Sequence, residues 1–158
     1  MFINSEKMPD NSRVWVYQSS REFTESEENK ISVLAKEFLE TWTAHSIELK
    51  ASFEIRYHLF LILMIDVNHA LASGCSIDKS IHFIEKIEKE FSVSLLDRQI
   101  FAIKQDEKIN LISRKEFEKL NGKEISKDTI VFNNLVQTKK ELNTSWEIPI
   151  KESWHTSI

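Results

Sequence analysis

One cysteine, Cys75, stands in a polar loop, Ala72-Ser73-Gly74-Cys75-Ser76-Ile77-Asp78, between the most apolar run of the chain and an amphipathic segment. A thiol just before a helix N-terminus is favoured as the thiolate, which is the nucleophilic form. His69 as base, oriented by Asp66 or Asp78, would complete a thiol mechanism if the fold brings them round. A free cysteine can equally be a small buried hydrophobe. The second chemistry these residue types suggest is anion capture. Arg21, Ser19, Ser20 and Ser76 are suited to a carboxylate or phosphate, and a loop entering a helix presents free N–H groups. The catalytic candidates are Cys75, His69 and Asp78; the ligand-binding candidates are Gln18, Ser19, Ser20, Arg21, Ser73, Gly74 and Ser76. Against this stands a plainer use: Ser20, Thr24, Ser76 and Asp78 capping helices, and Arg21 paired with a neighbouring acid.

No metal site is expected. Asp66-Val67-Asn68-His69 offers oxygen and nitrogen ligands, but His45, His58, His82 and His155 are scattered, no HExxH spacing occurs, and one cysteine cannot build a four-cysteine zinc site. An acidic set such as Glu54, Asp66, Asp78 and Asp97 is a chance product of a chain with 25 acidic residues. No cofactor is expected either, since Gly74 and Gly122 are the only glycines and neither a P-loop nor a GxGxxG turn can be built from them.

The elements that must position these residues follow from hydrophobic period. Arg13 to Gln18 is rich in β-branched and aromatic residues and reads as a strand. Thr24 and Glu27 have capping-box spacing, and Ile31, Leu34, Ala35, Phe38 and Trp42 fall on one helical face, which predicts a helix over about Glu25 to Ala44. From Ile47 to His58 the period switches to two, the mark of a half-buried strand. Leu59 to Val67 is continuously apolar and suits a central strand covered on both faces. No turn chemistry separates the two, so residues 47–67 read either as two antiparallel strands turning near Arg56 to His58 or as one bent strand. Ile81, Ile84, Ile87 and Phe91 mark a second helix, with Ser76 or Asp78 as its N-cap. Ile100–Ile103 and Lys108–Ile112 form a hairpin around Gln105-Asp106-Glu107. Ser113 and Glu116 start a short helix that Asn121-Gly122 ends, and Thr129 to Val136 is a last strand.

This order implies an α+β fold: a two-layer sandwich, a mostly antiparallel sheet with helices on one face, with a βαββαβ (ferredoxin-like) core and C-terminal additions as the arrangement considered. With strands one and three adjacent and taken as parallel, Gln18 to Arg21 would face Asp66, His69 and the Ser73–Asp78 loop across one crevice, into which both long helices would point their N-termini. A single domain over residues 1–158 is expected, with 1–12 a loose segment and 137–158 an arm carrying Trp146 and Trp154. Those tryptophans are candidates for binding a partner, or for folding back over the core.

Composition narrows the partners. A net charge of −4, with 21 basic residues interleaved among 25 acidic ones, leaves no basic stripe for nucleic acid. The apolar run is far shorter than the roughly 20 residues needed to span a bilayer, and no secretory signal or disulfide framework is visible, so a cytoplasmic setting without membrane insertion is expected. A homo-oligomer is compatible with all of this.

The strings Val14-Trp15-Val16-Tyr17-Gln18-Ser19-Ser20-Arg21, Ser73-Gly74-Cys75-Ser76-Ile77-Asp78, Thr129 to Val136 and Ser153-Trp154-His155 carry a resemblance over most of the chain. It resembles a family of small Bacteroidota proteins labelled "ABC transporter ATPase". The resemblance implies a bacterial, cytoplasmic setting and no catalytic residue; the nucleotide binding in the label would need the Walker residues that this chain lacks. The sequence reading is thus an accessory module for a small anionic ligand or an unknown protein partner, with a thiol-dependent enzyme using Cys75 as the alternative.

Overall fold

The computed structural model describes residues 1–158. Strand β1 (Arg13–Gln18) leads through Phe23 into helix α1 (Glu25–Glu40), whose N-cap Thr24 forms the full capping box with Glu27. The helix stops at Thr41, short of the expected Ala44. Trp42 is buried beyond its end, and a small hairpin follows, β2 (Thr43–Ala44) with β3 (Ile47–Glu48). Strands β4 (Ala51–Arg56) and β5 (Phe60–Ile65) are two antiparallel strands turning at Tyr57-His58, so the two-strand reading holds over 51–65, whereas Ile47 and Glu48, expected to begin the first of them, belong to the small hairpin. Helix α2 (Gly74–Phe91) is capped by Ser73, with Ser76 completing the capping box at the third helical position, so neither Ser76 nor Asp78 is the N-cap.

The first sheet has the order β1-β5-β4. Its three strands have the split arrangement, β5 lying between β1 and β4, but β5 runs antiparallel to β1 where a parallel pair was expected. The reason is topological. A crossover through α1 returns β4 parallel to β1, and the turn at Tyr57-His58 then reverses β5 against both. The βαββαβ core is not completed, because the next strand, β6 (Ile100–Gln105), enters a second sheet instead. That sheet has the order β7-β6-β8-β9, with β7 (Lys108–Ser113), β8 (Ile130–Phe132) and β9 (Glu147–Pro149). Between these lie α3 (Arg114–Leu120), capped by Ser113, and α4 (Lys139–Thr144), a helix with no sustained apolar period in the sequence.

Alternation assigns the faces of the two larger sheets. Tyr17, Leu61 and Leu63 meet Ile31 and Ala35 of α1 and Ile84 and Ile87 of α2. The opposite face, Val14, Phe60, Ile62 and Met64, meets Ala102, Phe132 and Trp146 of the second sheet and its flank. The far side of that sheet, Phe101, Ile103 and Val131, is covered by Phe117 of α3 and by Ile150. The α+β class holds, but the layers number four, helix–sheet–sheet–helix, rather than two. All six residues of β5 are buried, as a strand covered on both faces requires.

Neither end of the chain is loose. Ile3 N–H donates to the Ala51 carbonyl at 2.8 Å and Met8 is buried in the inter-sheet core. The C-terminal arm folds back: β9 pairs with β8, and two 3₁₀ turns, 150–152 and 154–157, close the far side. No helix is long and apolar enough to cross a membrane.

Candidate functional site

The crevice expected between Gln18–Arg21 and Ser73–Asp78 does not exist. Gln18 pairs with Phe60 at the start of β5, whereas Asp66 follows its far end, roughly 17 Å away along a six-residue strand. The helices are antiparallel as well. Arg21, just ahead of α1, donates to the Phe91 carbonyl at the C-terminus of α2 (2.7 Å), and Trp42, just beyond α1, donates from Nε1 to the Ser76 carbonyl in the first turn of α2 (2.8 Å). The two helix N-termini therefore lie at opposite ends of the layer.

Six of the seven predicted ligand-binding residues, all but Gly74, have a structural occupation in their own place. Arg21 forks the Glu27 carboxylate at 2.8 and 2.9 Å. That guanidinium, with the Thr24 backbone N–H, holds the Glu27 carboxyl down to about 2. Gln18 is buried, donating to the Ile100 carbonyl and accepting from Asn134 Nδ2, both at 3.0 Å. Ser19 is buried, its N–H donating to Leu59, and Ser20 exchanges two bonds of 2.9 Å with Ser94. The dent lined by Gln18, Ser19, Ser20, Ser94, Asp97 and Ile100 is too narrow to admit a water molecule. Ser73 and Ser76 are consumed by the cap of α2, and Gly74 has open space around the position a Cβ would take.

Cys75 is exposed rather than buried. Its proposed base is engaged elsewhere, His69 Nε2 lying 3.0 Å from the Glu48 carbonyl, and Asp78 is an exposed residue of α2 with no hydrogen-bond partner. No group of three or more His, Cys, Asp or Glu side chains is placed to hold a metal ion. Trp146 is buried among Tyr57, Phe60 and Phe132 with its Nε1–H donating to Asn134 Oδ1, so it cannot meet a partner. Trp154 is partly exposed and stacks on His155, whose ring sits 4.8 Å from Phe101. Burial pushes the His155 imidazole down to about 4, and its Nδ1 lies 2.7 Å from Ser153 Oγ.

A groove lies where no candidate was placed. It runs between α1 and α2 with about 570 Å³ of space, a volume of the size that holds small organic ligands. Its floor is Leu34, Phe38, Trp42 and Phe83, with the Phe38 and Phe83 rings stacked at 4.6 Å and nearly coplanar. One wall is Lys79, His82 and Lys86 of α2; the other carries Glu37 and Thr41. The signal in the sequence was the width of the α1 stripe: Leu34, Phe38 and Trp42 lie at its edge, and Lys79, His82 and Lys86 follow one another at helical spacing on α2.

No family profile matches the chain, and no curated protein or solved structure is similar to it.

Proposed function

We propose that this chain is a non-catalytic accessory protein that binds a small ligand in the groove between α1 and α2, acting in the cytoplasm. The observation that carries the reading is the groove itself: an open 570 Å³ concavity with an aromatic floor and polar walls, the combination that gives ligand sites both affinity and orientation. An exposed free thiol is compatible with a reducing compartment. The bacterial setting implied by the sequence resemblance belongs to the same proposal.

A thiol-dependent enzyme is the second reading, favoured by one observation, the solvent access of Cys75 in the first turn of α2. Native mass spectrometry after incubation with a bacterial small-molecule extract separates the two. Binding in the groove predicts a non-covalent adduct that persists in Cys75→Ser and is lost in Thr41→Trp, which plugs the rim. A covalent adduct confined to chains with Cys75 would transfer the function to the thiol, and no adduct with either chain would end the groove reading.

A further inference from the structure

The walls of the groove are chemically unequal. Lys79, His82 and Lys86 occupy positions i, i+3 and i+7 of α2, a rail roughly 10 Å long on one helical face. None of the three makes a side-chain hydrogen bond or ion pair, so all three heads are free to meet a ligand. The opposite wall offers one carboxylate, Glu37, also unpaired, and the Thr41 hydroxyl, which donates to the Phe38 carbonyl at 3.4 Å and keeps its oxygen free to accept. Among the charged residues of the lining, two lysines stand against one glutamate. In a chain whose net charge is −4, this is a local reversal of sign directly above an aromatic floor.

We infer that the groove selects a monoanionic amphiphile: one carboxylate or sulfonate-type head on the α2 side, with an apolar body laid over Leu34 and Phe38, the half-buried apolar side chains of the floor. This rests on the reading of the groove as the ligand site. A second negative group would reach across to Glu37 and be repelled. A cationic head could pair with Glu37 only while facing two lysines across the groove. A neutral amphiphile would gain the floor but nothing from the rail. The lysines discriminate by charge and the aromatic floor supplies the contact area, since exposed charges alone contribute little affinity.

The test is an amide chemical-shift titration of the full chain with three probes that share one body: 2-naphthoate, 2-naphthamide and 2-naphthylmethylammonium. The expected result is shifts confined to Leu34–Trp42 and Lys79–Lys86, with naphthoate binding about tenfold more tightly than either other probe. Lys79→Ala/Lys86→Ala, both exposed and so compatible with folding, is expected to remove that preference while leaving naphthamide binding in place. Glu37→Gln is expected to tighten naphthoate binding. Equal binding of all three probes in the groove would overturn the charge selection while leaving the site standing. Absence of shifts in both helices would overturn the site itself. Shifts produced by an acidic amphipathic peptide but not by naphthoate would reassign the groove to a protein partner.

Discussion

His155 shows how burial writes a pH dependence into one residue. Its imidazole is enclosed against Phe101 and Trp154 and resists protonation down to about 4, against 6.5 for an ordinary histidine. Below about pH 6.5 the unfolded chain therefore takes up a proton that the native chain refuses. Stability must fall as the pH drops from 6.5 towards 4, by an amount on the order of 1 to 2 kcal/mol by pH 5. Urea midpoints at pH 7 and pH 5 are expected to differ in the wild-type chain and to converge in His155→Phe; equal pH sensitivity in both would show the ring to be freely protonated. Glu27 acts in the same sense, but lower down. Its folded value of about 2 lies below the ordinary 4.5, so the Arg21 pair contributes above that range and fades as the pH falls through it. His58, raised by the Glu28 carboxylate 3.0 Å away, adds a small stabilisation at mildly acidic pH that is lost as the pH rises.

Three hairpins turn through non-glycine residues with positive φ: His45-Ser46, Tyr57-His58 and Asp106-Glu107. A side chain in that region costs roughly 1–2 kcal/mol, and Asn-Gly is the usual occupant. At Tyr57-His58 tertiary contacts offset the strain: the Tyr57 ring meets Phe60, Phe132 and Trp146, and its hydroxyl donates to Glu147 Oε2 at 2.6 Å. The side chains of Asp106 and Glu107 are exposed and make no hydrogen bond. Glu107→Gly is accordingly expected to raise stability by about 0.5–1 kcal/mol, seen as a higher urea midpoint at unchanged slope; an unmoved midpoint would show that the turn is unstrained. These turns also explain what could be read beforehand. Helix α1 was legible because Thr24, Glu27 and the Ile31–Phe38 stripe act locally, and β5 because six consecutive apolar residues need two covers. The turn between β4 and β5 carried no local signal, since contacts distant in sequence hold it. The shared crevice failed on topology: a crossover followed by a turn sets β5 against β1, and this separates Arg21 from Cys75 whatever their chemistry. The second sheet was illegible for another reason, that β6 could have paired equally well with either apolar sheet.

For the molecule as a whole, the last fourteen residues are part of the core. Trp146 closes the inter-sheet layer and Ile150 the outer one. Removing a buried tryptophan costs about 3–5 kcal/mol and a buried isoleucine about 2–5, against a total stability of about 5–15 kcal/mol for a domain. A chain ending at Thr144 is therefore expected to lose its cooperative melting transition by circular dichroism; a native-like melt would show the arm to be dispensable. What such a chain would expose matters more than what it would lose. Phe60-Leu61-Ile62-Leu63-Met64-Ile65 is an uncharged, proline-free hexapeptide with both edges paired and both faces covered, the composition that stacks into cross-β zippers once released. Its burial at the centre of two cores makes the four-layer architecture a sheath: opening either side delivers an aggregation-prone segment rather than a harmless unfolded chain, so the lifetime of this protein in a crowded cell depends on those layers opening together and rarely.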